Sequence, residues 1–322
     1  AWWNRCKIDL ADALKLIETV PRAGSAASGP GQVWRTFWAA HQRFFKELAI
    51  CAKVPFLARD ALRHIHEEGC CVVFGLQGTG EASMQSLLSS NESGVADANG
   101  NAGKKKPRIH RSLLHASDTE ERFPALLSTV AACLTNFVQN HFPVAPPPQE
   151  PPALPKQPPT TKEERQHYAM TQSEIHRIRS LPPPQPIPVL VEKRRILAQA
   201  IRHIDLPPNP LDDLIDRLGG TDTVAEMTGR SGRIVRKKRG DGDEFVYSKR
   251  VVSTGANTTT PAINRGEESD RINLIERRMF MDGHKPVAII SDAASTGVSL
   301  HAARGSGASH KRRVHYTIEL PW

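Results

Sequence analysis

The sequence predicts an α/β fold, buried strands flanked by helices, and two stretches of the same grammar predict it. In the first, Cys70-Cys71-Val72-Val73-Phe74-Gly75-Leu76 is short, apolar throughout and rich in β-branched residues, as a strand buried on both faces must be. Apolar residues at helical spacing precede it, and Gly78 and Gly80 follow as a tight turn into another helix near Glu81. In the second, a helix from about Glu268 to Met281 leads into the strand Val287-Ala288-Ile289-Ile290 and then into a loop of small side chains.

Taken in order, residues 1–32 read as a flexible or incomplete lead-in. The first ordered block covers 33–88. Trp34, Phe37, Trp38, His41, Phe44, Phe45 and Leu48 repeat at helical spacing, a second helical stretch covers about Val54 to Glu68, and Gly69 stops it. Residues 89–188 read as an insertion, mostly disordered, with an amphipathic helix at about 120–140. Its first part is rich in Asn, Gly, Ser and Lys. Of the 25 prolines, fourteen fall between Pro143 and Pro188, a density that strips amide donors and keeps this stretch out of any core. One polar helical island, Lys162 to Arg179, interrupts it.

The last block, 189–322, opens with a helix at about Val189 to Ile204, ended by Pro207-Pro208-Asn209-Pro210. Leu211, Leu214, Ile215 and Leu218 make a short amphipathic helix closed by Gly219-Gly220, and Thr221 is placed to cap a further helix. The basic segment Arg230 to Arg239 pairs as a hairpin with Glu244-Phe245-Val246-Tyr247, and Val314 to Leu320 is the last strand.

The formal net charge of +9 favours polyanionic partners: nucleic acid, an anionic surface or acidic protein tails. Five cysteines without a C-x-x-C pair fit a reducing environment. No stretch approaches the roughly 18 apolar residues that cross a bilayer, so no membrane partner is expected. Ala1-Trp2-Trp3-Asn4 has neither an initiating Met nor the features of a signal peptide, and the chain reads as an internal fragment.

The loop Ser291-Asp292-Ala293-Ala294-Ser295-Thr296-Gly297-Val298-Ser299 leaves the carboxyl end of an apolar strand, where open parallel sheets place their ligands. Small side chains let backbone amides and hydroxyls approach a phosphate; the plainer alternative is an ordinary strand-to-helix turn. Three basic clusters, Lys104-Lys105-Lys106-Pro107-Arg108, Arg236-Lys237-Lys238-Arg239 and Lys311-Arg312-Arg313, read respectively as a nuclear-localisation candidate and two sets of phosphate contacts, with solvated loops as the alternative. The thirteen histidines show no metal-ligand spacing, and no metal site is expected.

The loop resembles motif V of superfamily 2 helicases, and its wider context is similar to the strawberry notch family. The pieces that carry the resemblance stand in family order. They include His41-Gln42-Arg43-Phe44-Phe45-Lys46, Val72 to Gln77 running into Thr79-Gly80-Glu81-Ala82, and Pro210 to Gly220. Val224-Ala225-Glu226-Met227-Thr228-Gly229-Arg230, Phe280-Met281-Asp282-Gly283, Arg312-Arg313-Val314-His315 and Glu319-Leu320-Pro321-Trp322 complete them. The resemblance implies a RecA-like parallel sheet, the second lobe of a helicase-like core, truncated before motif VI.

It also implies that Ser291, Asp292, Thr296 and Gly297 lie by the nucleic-acid backbone and the ATP cleft, with Gln77, Thr79 and Gly80 in the motif IV neighbourhood. Lys237, Lys238, Arg239, Arg312 and Arg313 are the expected basic phosphate contacts. Ser299 departs from the Asp that many superfamily 2 proteins carry there. The chain has no G-x-x-x-x-G-K-[ST] phosphate loop, so no cofactor and no catalytic residue are expected of it alone. For the parent protein the resemblance implies ATP and magnesium, a nuclear location, and nucleic acid or chromatin, transcription regulators and an N-terminal RecA-like lobe as partners. A non-catalytic nuclear scaffold is the alternative.

Overall fold

A computed structural model of the chain describes residues 1–19, 30–81, 122–123, 125–149, 151–155, 161–239, 242–250, 265–291, 299–302 and 307–319. These form two compact units. One comprises Ala1–Arg43 with Cys133–Asp205, the other Phe44–Ala132 with Leu206–Trp322.

The first unit is helical. Helix α1 (Trp2–Thr19) buries Trp3, Cys6, Leu10, Ala13, Leu14 and Ile17, an apolar stripe at helical spacing. This corrects the expectation of a flexible lead-in over 1–32 for residues 2–19. The stripe is stabilised by aromatic edges: Trp3 meets Phe37 at 5.3 Å, and Phe37 meets Phe137 at 5.6 Å, between ring centroids. Phe37 lies on α2 (Pro30–His66) and Phe137 on α3 (Thr129–Asn140). Helix α4 (Lys162–Arg179) has a full capping box, in which Thr161 accepts from the Glu164 amide and the Glu164 carboxylate accepts from the Thr161 amide. Helix α5 (Pro188–Ile201) is tied to α1 by Lys193 Nζ, 2.9 Å from both Asp9 and Asp12.

Two helical expectations change length. The two stretches proposed before Gly69 are one helix, because α2 runs through Pro55 with the ring on its exposed side. Apolar burial on the opposite side, at Val54, Ala58 and Ala61, offsets the amide that proline removes. The helix expected over 120–140 begins only at Thr129, where the Ser128 hydroxyl accepts the Ala131 amide. Upstream of it, Arg122–Phe123 is instead strand β2, and Phe123 is buried with Ile234.

The second unit holds a four-stranded parallel sheet of order β3-β6-β1-β7, built from β1 (Cys71–Leu76), β3 (Val224–Met227), β6 (Val287–Ser291) and β7 (Arg313–Thr317). Alternate residues point to opposite faces, so both faces are covered. Val72, Phe74 and Leu76 pack with Val54, Ala58 and Ala61 of α2 and with Leu211, Leu214 and Ile215 of α6 (Pro210–Arg217). Cys71 and Val73 pack on the other side with Met227, Ala288 and Phe280 of α7 (Arg265–Met281). Beside it, β2, β4 (Gly232–Arg239) and β5 (Gly242–Lys249) form an antiparallel sheet of order β2-β5-β4.

Strand β3 overturns one expectation. Thr221 caps no helix: Gly220–Asp222 makes a single 3-10 turn and the chain enters the sheet at Val224. All of Val224–Met227 is buried, and pairing of Val224 with Val287 through Met227 with Ile290 overrides the local helical reading.

Candidate functional site at the carboxyl edge of the sheet

Because the four strands run parallel, their carboxyl ends share one edge, and the turns that leave them converge there. Leu76 pairs with Ser291, Met227 with Ile290, and Gly75 with Thr317, so the turns 77–81, 228–231 and 318–319 are neighbours.

The turn after β1 is held from three sides. Lys46 Nζ on α2 donates to Gln77 Oε1 at 3.0 Å and pairs with Glu319 Oε2 at 2.7 Å, while the Gln77 amide donates to Glu319 Oε1 at 3.2 Å. The Thr79 carbonyl accepts from Asn209 Nδ2 at 3.4 Å. Asn209 also caps α6, its Oδ1 accepting the amides of Leu211 and Asp212. Gly80 has φ +70°, and a Cβ there would lie 2.8 Å from Asn209 Nδ2 and 2.9 Å from Thr129 Cγ2, so only glycine fits. Glu81 Oε1 accepts from both the amide and the hydroxyl of Ser231, at 2.8 and 2.7 Å, which joins this turn to the one after β3.

Under the β3 turn lies a buried ionic network. Arg230 bridges Glu226 (Nε to Oε1, 2.5 Å; Nη2 to Oε2, 3.0 Å) and Asp212 (Nη1 to Oδ1, 2.6 Å). Arg233 reaches Glu226 Oε2 at 3.0 Å, and Thr228 Oγ1 donates to Glu226 Oε1 at 2.6 Å. Arg250 donates to the carbonyls of Glu226, Thr228 and Arg230, fastening the far end of the β4–β5 hairpin to the sheet. Burial by itself raises the pKa of Glu226, but the guanidinium groups of Arg230 and Arg250 outweigh it and hold the carboxyl below its ordinary range. For Asp212, burial wins over Arg230 and the pKa rises.

Of the residues expected from the sequence, Gln77, Thr79, Gly80 and Ser291 come together at this edge. Ser291 is 2% exposed, and its hydroxyl has no hydrogen-bond partner among the described residues. Asp292, Thr296 and Gly297 lie outside the described residues. Lys237 is exposed on β4, with Lys238 and Arg239 following on the same strand; the side chains of the last two lie outside the described set. Arg312 and Arg313 sit at the opposite edge, where β7 begins, roughly 15 Å away at ~3.3 Å per strand residue. Arg312 pairs with Glu68, and the Arg313 guanidinium lies 4.6 Å from the Phe280 ring centroid. These two arginines therefore do not share a site with Ser291.

The sequence reading missed Lys46, Glu319, Asp212 and Arg250. Glu319, the carboxylate that Lys46 pairs with, is 273 residues distant in the chain, beyond any local pattern, whereas Arg250 reaches the carbonyls of Thr228 and Arg230 through the register of the β4–β5 hairpin. Glu226 carried a legible signal, a carboxylate inside an otherwise apolar buried segment.

A parallel sheet covered on both faces by helices, with its turns gathered at the carboxyl edge, is the architecture of a RecA-like helicase C-terminal lobe. Residues 209–322 match the family described as the C-terminal domain on strawberry notch homologue. Protein strawberry notch homolog 2 of Mus musculus is 33% identical over 90% of this chain and 22% of its own length. The Homo sapiens homolog 2 is 32% identical over 99% of this chain and 24% of its own length. Protein strawberry notch of Drosophila melanogaster is 48% identical over 36% of this chain and 6% of its own length. No solved structure matches. The chain belongs to the strawberry notch family, and it spans about a quarter of the length of the homolog 2 relatives.

Proposed function

We propose that this chain is part of the second RecA-like lobe of a nuclear helicase-like ATPase that acts on nucleic acid or chromatin in the regulation of transcription. The observation that carries the reading is the meeting, at one sheet edge, of the 77–80 turn and Ser291, a buried hydroxyl with no partner among the described residues. A hydroxyl at the carboxyl end of a parallel strand suits a phosphate oxygen. Ser291, Asp292, Thr296 and Gly297 face that phosphate in this reading, and Lys237, Lys238 and Arg239 add charge along the hairpin. Arg312 and Arg313, at the other edge, belong to a separate surface.

The residues at the edge fit a phosphodiester backbone better than a triphosphate, because the chain lacks a phosphate loop. ATP and magnesium are accordingly assigned to the parent protein, held mainly by its N-terminal RecA-like lobe, and supply phosphoryl transfer there. The chain's own residues orient the nucleic acid. Transcription regulators are the proposed protein partners.

The test is nucleic-acid-stimulated ATPase activity of the full-length protein carrying Thr296→Ala or Gly297→Val. Stimulation should drop with the thermal midpoint unchanged, since valine blocks close backbone approach to phosphate. Unchanged stimulation in both variants would make this loop a structural turn, and no ATPase activity in the wild type would turn the reading to a non-catalytic nuclear scaffold.

A further inference from the structure

At the amino edge of the same sheet, α2 ends and β1 begins, and the chain reverses between them through Gly69, at φ +64°. The Cys70 amide donates to the His64 carbonyl at 3.0 Å, closing the reversal. This local fold gathers three different donors. A ring nitrogen of His64, a carboxylate oxygen of Glu68 and Sγ of Cys70 all lie within 4.8 Å of one another. His64 Nδ1 is 2.8 Å from Glu68 Oε1, yet it is buried and not aligned with that oxygen as a hydrogen bond. The group borders a cavity of about 610 Å³ lined by Glu68, Gly69, Cys70, His310, Lys311 and Arg312.

We propose that His64, Glu68 and Cys70 bind a divalent, thiophilic cation, Zn²⁺, with His310 closing the fourth position from across the cavity. The donor set selects the ion. Imidazole, carboxylate and thiolate suit zinc, whereas magnesium and calcium take oxygen ligands. Donors sharing a tetrahedral zinc at ~2.0–2.3 Å stand roughly 3.5 Å apart, so His64 and Glu68 part slightly from 2.8 Å while Cys70 Sγ closes on the carboxylate from 4.0 Å.

Two arginines share the carboxylate. Arg312 pairs with Glu68, and Arg63 reaches Glu68 Oε1 at 3.1 Å and His64 Nε2 at 3.2 Å. Both can leave: the Arg312 side chain is 69% exposed, and Arg63 keeps a second partner in Asp60 at 3.0 Å. On capture the Cys70 thiol gives its proton to solvent as the zinc–sulfur bond forms. The imidazole coordinates through Nδ1 and holds its proton on Nε2, which turns Arg63 back to Asp60. Zinc and Arg312 therefore compete for the same groups. Since the Cys71 amide donates to the Arg312 carbonyl at 2.9 Å, the ion would sit where α2, β1 and β7 meet.

The experiment titrates the whole chain with Zn²⁺ against a chromophoric chelator near neutral pH, and it is independent of the nucleic-acid reading above. The wild type should take up one equivalent. Cys70→Ser and His64→Gln should each weaken binding more than about tenfold, His310→Ala should weaken it less, and Arg312→Ala should tighten it several-fold by removing the competitor. If Cys70→Ser does not fold, His64→Gln at the end of α2 carries the same comparison. Wild-type affinity no greater than that of Cys70→Ser or His64→Gln, or weaker binding in Arg312→Ala, would overturn the assignment.

Discussion

At the carboxyl edge of the parallel sheet, Glu226 and Arg230 keep 0% and 2% of their surface in water, while at the amino edge Arg312 keeps 69% of its side chain exposed beside Glu68. The pairs are the same chemically. Their surroundings make one a structural fixture and the other an exchangeable contact. A buried charge stripped of its partner is stranded in a low dielectric, and water cannot replace the lost interaction. An exposed arginine that loses a carboxylate is simply rehydrated. The carboxyl edge is thereby held in one arrangement, while the amino edge stays free to trade an arginine for another cation.

The largest expected effect lies in the buried network. Glu226→Gln leaves Arg230 and Arg233 short of an anion and should cost about 3–5 kcal/mol, read as a lower urea midpoint for the second unit. A loss no greater than that of an exposed pair would erase the contrast between the edges. The pH dependence sharpens it. Glu226 titrates below its ordinary value of 4.5 when folded, so its contribution is present above that value and is lost as pH falls through the folded pKa. Asp212, shifted upward, works in the opposite direction and offsets part of this loss. Acid unfolding followed by circular dichroism should therefore be less steep in Glu226→Gln than in the wild type.

A smaller effect is expected in the turn that the network flanks. Gly80→Ala places a Cβ against Asn209 and Thr129 at positive φ and should cost about 1–3 kcal/mol. Asn209→Ala removes the cap of α6 and the donor to Thr79, with an expected loss of about 0.5–2 kcal/mol. Both follow from chemical denaturation, and a neutral Gly80→Ala would show that the turn is looser than its contacts describe. The smallest effect belongs to the amino edge: Arg312→Ala should leave the denaturation midpoint unchanged, and a clear loss would mean that this pair is structural after all.

Much of this organisation was legible locally. The buried strands β1 and β6, the β4–β5 hairpin, the helices α4 and α6, and Ser291 at the end of an apolar strand all follow from periodicity, turn residues and caps. Their signals lie within a few residues of the structure they specify. The mistaken helix after Thr221 shows the limit. Val224 to Met227 is too short for its period to decide between helix and strand, and pairing with β6 decided it.

Helix α1 was missed for a related reason, because its stripe means burial only once Phe37 and Phe137 are known to stand beside Trp3.

By itself, then, the sequence determined the fold class, most of the elements and the family, each encoded in local pattern or ordered motifs. Tertiary structure alone decided which charges meet. The order β3-β6-β1-β7 carries Glu319 to Lys46 and Arg312 to Glu68, and the β4–β5 hairpin carries Arg250 to the carbonyls of Thr228 and Arg230. Strand order is fixed by the joint burial of many apolar side chains from distant segments, and no single stretch of chain contains that information.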